Sequence, residues 1–264
     1  MPLGTNLQGQ RVLVTAASQG IGYAAAKAFL QEGASVMINS SNEQRLERAY
    51  RELQRYGAVD RTPADLSSKE GIERIVSKTV EVLGGIDTFV YVTGSPPAGV
   101  FMEKEYEDWA SAARLLTVSP SYLARKVAEV MIAQGVKGRM VFLASWAIRE
   151  PIPNIALSNV CRIAIAGLVR TLARELGPKG IRVNSILPGR IDTQRSDQLI
   201  KDASRKLGIT EEEARANVEK EIPLGYIASP DELAKSILFL GSEISSYVTG
   251  AALPVDGGIL RSVG

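Results

Sequence analysis

Apolar and polar positions follow a repeating rhythm along this chain, in which short apolar runs that read as strands buried on both faces alternate with stretches of helical periodicity. Arg11 to Thr15 and Ala34 to Asn39 predict the first two strands. Between them a helix over Ile21 to Gln31 sets Ile21, Ala24, Ala25, Ala28 and Phe29 on one face and closes at Gly33. A charged surface helix over Glu43 to Arg55, with Leu46, Ala49, Tyr50 and Leu53 as its stripe, leads to a weaker strand near Ala58 to Thr62. Ile72, Ile75, Val76, Val80 and Leu83 mark a third helix, which Gly84 and Gly85 end before a strand over Ile86 to Thr93. The pattern then predicts one unbroken helix over roughly Glu105 to Gln134, a strand over Arg139 to Ser145 and, past Pro151 and Pro153, one apolar helix from about Ala156 to Leu176. Ile181 to Leu187 and Ala251 to Val255 predict the last two strands, and Ser229-Pro230-Asp231-Glu232 between them is a capped helix start. The alternation implies an α/β fold: a Rossmann-type, doubly wound, seven-stranded parallel sheet with helices on both faces, in one domain over residues 1–264. Between Gly189 and Leu224 the rhythm gives way to a polar stretch with its own capping signal, Thr210 and Glu213. This reads as a lid or substrate-loop insertion at about 190–224, the alternative being a helical surface insertion without a gating role.

Charge and composition then narrow the function. The 31 basic and 29 acidic residues are interspersed, so no patch of one sign offers a footprint for nucleic acid. No apolar run looks long enough to span a membrane, and Met1 to Gln10 lacks the basic-then-apolar order of a signal peptide, so a cytoplasmic protein with no membrane partner is expected. A single cysteine, Cys161, excludes an internal disulfide, and with no histidine in the chain no metal site is expected. The missing histidine also removes the Ser-His-Asp and Cys-His triads, so acid–base chemistry falls to Tyr, Lys, Asp, Glu or a perturbed group.

The first strand delivers the chain into Thr15-Ala16-Ala17-Ser18-Gln19-Gly20-Ile21-Gly22, at the start of the first helix. Small residues there let backbone N–H groups reach a pyrophosphate, and the helix dipole favours negative charge. In this turn the chain resembles the short-chain dehydrogenase/reductase family, in its 3-oxoacyl-ACP-reductase-like branch, whose turn reads T-G-x-x-x-G-I-G. The resemblance continues through Asp65-Leu66, Asp87, Gly94, the block Asn184, Pro188, Gly189 and Thr193, and Thr249-Gly250 with Val255-Asp256-Gly257-Gly258. It implies a dinucleotide held by Thr15, Ala17, Ser18, Gln19, Gly20 and Ile21 at the turn, Ser40 and Ser41 after strand two, Asp65 and Leu66 at the adenine, and Gly94, Arg162, Pro188, Gly189, Ile191 and Thr193 at the nicotinamide end. Asn39-Ser40-Ser41-Asn42 carries no carboxylate to bind a ribose 2′-hydroxyl, so NADP(H) is expected in preference to NAD(H); Arg45 is as well read as a solvated charge as a phosphate ligand. The resemblance also implies a homotetramer or dimer, and the apolar Ile163 to Leu172 stretch is compatible with one.

Members of the family use an Asn-Ser-Tyr-Lys set. Here the serine is Ser145, but the tyrosine position thirteen residues on is Ser158, the lysine position is Arg162, the asparagine position is Thr117, and the first glycine of the turn is Ala16. An aliphatic hydroxyl cannot replace a phenol as an acid, and a guanidinium cannot relay protons as an amine does. Tyr91, at the end of strand four, is the first candidate for a substitute proton donor, with Tyr122 behind it; the alternative is that Tyr91 fills space. Ser145 orients a substrate oxygen or caps the next turn. Arg162 binds a ribose hydroxyl or an anion, or pairs with a carboxylate, while Trp146 lines the pocket mouth or packs. The reading is an NADP(H)-dependent oxidoreductase acting on a small carbonyl or alcohol with an atypical proton donor. A non-catalytic dinucleotide-binding interaction or regulatory protein on the same fold is its alternative.

Overall fold

In the computed structural model, which describes residues 4–262, the apolar runs become strands β1 (Arg11–Val14), β2 (Ser35–Ser40), β3 (Val59–Pro63), β4 (Thr88–Tyr91), β5 (Arg139–Leu143), β6 (Arg182–Pro188) and β7 (Ala252–Val255). Met1 to Leu3, the start of the segment read for a signal peptide, lie outside the described residues. The strands pair in parallel in the order β3-β2-β1-β4-β5-β6-β7. β1, β4 and β5 end one or two residues short of the sequence expectation, whereas β2, β3 and β6 run one residue past it and β7 ends where expected. Every carboxyl end therefore lies along one edge, and the order reverses between β1 and β4, where open α/β sheets bind ligands.

Helices α1 (Gly20–Gln31), α2 (Glu43–Leu53) and α10 (Pro230–Leu240) cover one face, and α3 (Lys69–Leu83), α5 (Ser119–Ala133) and α7 (Ala164–Leu176) the other. Alternation along β1 divides the two cores. Val12 and Val14 point into the first with Phe29 and Ile38, while Leu13 points into the second with Phe89, Tyr91 and Phe142. The predicted start of α10 forms as a reciprocal cap, with Glu232 N–H donating to Ser229 Oγ at 3.2 Å and Ser229 N–H to Glu232 Oε2 at 2.8 Å.

Two helices read as continuous are broken. The run over Glu105 to Gln134 divides into α4 (Tyr106–Ala113), a π turn over Arg114–Val118, and α5. Pro120 explains the break: it lacks an N–H for the Leu116 carbonyl, and its ring would crowd that carbonyl in a regular helix. Ser119 instead reaches one residue further back, with both its N–H and its Oγ (2.7 Å) donating to the Arg114 carbonyl. The second break separates α6 (Ala156–Cys161) from α7 at Arg162–Ile163. There the Cys161 carbonyl accepts Thr117 Oγ1 at 3.1 Å, and Ile165 N–H turns to Arg162 O. Each break lies where the other can bond to it.

The second segment also corrects the expectation about apolar length. Ala156–Lys179 holds a stretch of mean hydropathy 1.3, long and apolar enough to cross a membrane by length and composition alone. In the fold it is interrupted at Arg162, and Ile165, Val169 and Leu176 of α7 pack in the second core. Residues past β6 form α8 (Gln194–Leu207) and α9 (Glu211–Lys220) in the region read as a lid. Ile200, Ala214 and Ile222 from that region share an apolar cluster with Trp146, which is 9% exposed and so packs, as one of its two readings had it.

Candidate cofactor and substrate site

At the β1–α1 turn the chain makes a tight, open-ended cradle. Ala16 takes a φ of 46°, a left-handed conformation that costs an L-residue about 1–2 kcal/mol. A methyl group at Gly22 would lie 2.5 Å from Ala16 O and 2.9 Å from the Ala17 Cα, so only glycine fits there. Ala17 N–H donates to Asn39 O at 2.8 Å and ties the turn to the end of β2. Gln19 occupies the cap position of α1 without a side-chain bond to the helix, and no acidic residue stands in the first turn. By contrast, Asn42, Ser68, Thr193, Thr210 and Ser229 each cap their own helix through a side-chain oxygen. The free N–H groups and positive dipole end of α1 are a receptor for an anion of pyrophosphate size.

The other cofactor candidates converge on this cradle, with differing fits. Ser18 Oγ donates to Ser40 Oγ at 3.0 Å, while Ser41 is exposed beside it. Gly20, at φ 56°, faces Thr193 so closely that an added methyl would touch its Cγ2 at 3.4 Å. Ile21 is half-buried on α1, and Ile191 is 7% exposed in the first core, its backbone bridged to Ala228. Pro188 ends β6, and Gly189 packs so tightly on Asp256 that a side chain would lie 2.5 Å from its Cα. Asp65 is exposed and holds Ser67 through both carboxylate oxygens, at 2.8 and 2.7 Å, with Leu66 buried beside it. Arg45 is exposed. Thr15 requires a correction: it is fully buried, and its hydroxyl donates to Val92 O at 2.6 Å and accepts from Val92 N–H at 2.9 Å. It clamps β1 to β4, and its hydroxyl hydrogen is committed to that clamp rather than to a cofactor. Asn39, likewise fully buried, spends its amide on Thr62 O and Ala64 O.

The catalytic candidates separate into a pocket set and a structural set. Ser145 lies two residues past the end of β5 and opens the turn Trp146–Ile148, its Oγ accepting from Ala147 N–H at 3.1 Å, so the turn-capping reading holds. That turn packs on α6, which Asn159 anchors by accepting from Ile152 N–H at 3.2 Å and donating to Ile152 O at 2.8 Å. Ser158, one residue earlier on α6, is buried, and its Oγ accepts from Arg162 Nε at 3.3 Å. Arg162, 6% exposed, also reaches the Gly94 carbonyl from Nη2 at 3.4 Å. The reading of Arg162 as a carboxylate's partner fails, for no ion pair to it forms within 4.0 Å among the described residues. Burial pushes its guanidinium below the usual arginine range.

Tyr91 is not a proton donor. It is 1% exposed, burial pushes its phenol well above the usual range, and its hydroxyl donates to the Leu115 carbonyl at 3.0 Å. That carbonyl lost its helical donor when Ser119 N–H turned to Arg114, so Tyr91 repairs the π turn. Tyr122 is on α5, not behind Tyr91 in a pocket, and gives its hydroxyl to Glu73 at 2.6 Å. Thr117 stands in the π turn and bonds to the Cys161 carbonyl. No cluster of three potential metal ligands occurs among the described residues.

Such an edge, with an anion cradle at the first crossover and a serine just past the end of β5, is that of a nucleotide-dependent oxidoreductase, and the comparisons agree. Residues 15–260 match the family model described as Enoyl-(Acyl carrier protein) reductase. Human dehydrogenase/reductase SDR family member 4 is 33% identical over 248 residues, which cover 93% of this chain and 86% of that protein. Glucose 1-dehydrogenase of Gluconobacter oxydans is 31% identical over 98% of this chain and 94% of its own. The crystal structure of L-sorbose reductase from Gluconobacter frateurii, complexed with NADPH and L-sorbose, superposes with a TM-score of 0.94 at 31% identity, covering 98% of this chain and 100% of that one. The chain belongs to the short-chain dehydrogenase/reductase family.

Proposed function

We propose that the protein is an NADP(H)-dependent oxidoreductase that acts on a carbonyl or alcohol carbon of a small molecule seated against Ser145. The uncapped first turn of α1 carries this reading, since no side chain among the described residues caps its N–H groups and the turn stays open to an anion. When bound, the nicotinamide supplies the hydride. The chain's part is to hold the pyrophosphate on the α1 backbone, to set Ser18, Ser40 and Ser41 beside the adenosine ribose without a carboxylate, and to present Ser145, Ser158 and Arg162 to the substrate. NADPH complexes among the structural neighbours support the cofactor choice. Trp146 packing with Ile200, Ala214 and Ile222 supports residues 190–224 as a cover over the pocket. Exposed Val118, Val160 and Ile163 support a homo-oligomer through the helices flanking the two breaks.

Fluorescence titration of the purified protein should give NADPH binding at least about tenfold tighter than NADH, a difference of about 1.4 kcal/mol. Equal or reversed affinities refute the NADP(H) choice. Cofactor binding without oxidation of NADPH by any ketone, aldehyde or enone tested favours the non-catalytic alternative.

A further inference from the structure

We propose that Arg215 is a positioning residue, which through Asp192 fixes the register of α9 on the exit of β6 and holds Ile191 to Thr193 in place at the nicotinamide end of the site. The inference rests on the cofactor reading above and deepens it by naming what orders that end.

The exit of β6 is pinned by its backbone, with Ala228 N–H donating to Arg190 O at 3.2 Å and Asp192 N–H to Ala228 O at 2.8 Å. The side chains on either side of Ile191 are then a cation, Arg190, and an anion, Asp192, and each finds its opposite on α9 or just past it. Arg215 reaches Asp192 with two nitrogens, Nη2 to Oδ2 at 2.9 Å and Nη1 to Oδ1 at 3.4 Å, and turns its Nε to Glu219 Oε1 at 3.2 Å. Arg190 meets Glu221, one residue beyond α9, at 3.9 Å. A guanidinium fork on a carboxylate fixes direction as well as distance, whereas the second pair is long, so Arg215 carries most of the specification.

The residues one helical turn either side of Arg215 are Glu211 and Glu219. A slip of α9 by one turn in either direction therefore sets an acid against Asp192, which repels it. Packing leaves that register open. Ala214 is the one buried residue of α9, with Val218 half-buried in the same apolar cluster, and a cleft of about 290 Å³ lined by Ile200, Lys201, Glu212 and Arg215 among others opens between α8 and α9. Nor does the pair serve mainly to hold the fold together. The side chains of Arg215 and Asp192 are 36% and 41% exposed, and pairs so exposed add little to stability.

Through these contacts α9 joins two strand exits. Ala214 shares its cluster with Trp146, the residue after Ser145, while Arg215 holds the segment past β6. Thr193, next to Asp192, caps α8 and lies against Gly20 of the anion cradle. A register error in α9 disturbs Ile191 and Thr193 at the nicotinamide end and leaves the pyrophosphate receptor of α1 untouched.

NADPH is the probe, because its nicotinamide fluoresces and gains intensity when the ring is held and shielded. Arg215→Gln should leave the NADPH dissociation constant within about threefold of the unaltered protein. It should nevertheless cut the gain in nicotinamide emission by about half or more, as a second register becomes populated. Asp192→Asn approaches the pair from the other side and should do the same, Arg215→Lys should keep part of the gain, and the double variant should be no worse than either single one. The chain has two tryptophans, so Trp109→Phe leaves Trp146 as the sole reporter. In that background, without cofactor, Arg215→Gln should raise acrylamide quenching of Trp146 by about twofold or more. Circular dichroism checks that each variant is folded. An unchanged emission gain, unchanged quenching, additive losses in the double variant, or a dissociation constant raised about tenfold with the emission gain of bound NADPH intact overturns the proposal. Those outcomes leave the cofactor reading standing. Failure of the unaltered protein to bind NADPH removes that reading and the nicotinamide role of Arg215 with it, while Trp146 quenching in the free protein still decides the register.

Discussion

Tyr91 illustrates how a reactive side chain can be spent on architecture. The π turn strands the Leu115 carbonyl in a partly buried place, and the Tyr91 hydroxyl is the group that satisfies it. Leaving that acceptor unpaired costs roughly 1–3 kcal/mol, so Tyr91→Phe should lower unfolding free energy by about that amount in urea melts while NADPH-dependent turnover stays unchanged. A variant that keeps its stability and loses turnover would return Tyr91 to the chemistry. Sequence shows that a phenol stands at the end of β4; it does not show which way its hydroxyl is spent, because that depends on a carbonyl 24 residues away. Thr15 carries the same lesson, its place in the turn being legible and its commitment to Val92 not. The replaced tetrad was legible outright. Ser145, Ser158 and Arg162 fall in register, and the structure adds the direction of the bonds among them.

At the level of elements, all seven strands could be read from the sequence, but on different grounds: β1, β2, β4, β5 and β6 are apolar runs buried almost throughout, while β3 and β7, at the two edges of the sheet, carry weaker runs with half-buried or exposed positions. The helix breaks could not be read from periodicity, which runs through them undisturbed; Pro120 was the available signal for the first, and the second is set by contact with Thr117. The first turn of α1 is the element with most to reveal by substitution. Gln19→Asp would place a cap and a negative charge on the free N–H groups, so it should stabilise the cofactor-free protein by about 0.5–1 kcal/mol. The same carboxylate should weaken NADPH binding by about tenfold or more, since it repels the pyrophosphate. Opposite signs in the melt and the titration identify an anion site. Loss of stability together with unchanged binding would show that the turn does not receive the phosphates.

For the whole molecule, the absence of histidine makes the response to pH simple. Burial alone would raise the Asp87 carboxyl, but the side chain and backbone N–H of Arg11 bond to it and hold it below its ordinary value. Glu243 is held down by Arg139, and Glu232 by the Ser229 backbone and hydroxyl. Groups depressed on folding contribute stability above their unfolded values and lose it as pH falls through the folded ones. Unfolding free energy of the cofactor-free protein should therefore be flat from about pH 6 to 8 and fall below about pH 4, where carboxylates titrate. Asp87→Asn should flatten part of that acid limb; an unchanged limb would show that the Arg11 pair contributes nothing to it. The open end of α1 has one further consequence, for the lifetime of the chain in a cell. A ligand present at 100 times its dissociation constant adds about 2.7 kcal/mol to the folded state by mass action. The turnover of this protein by proteases would then follow the supply of pyridine nucleotide: abundant while the pool is full, and cleared as it drains.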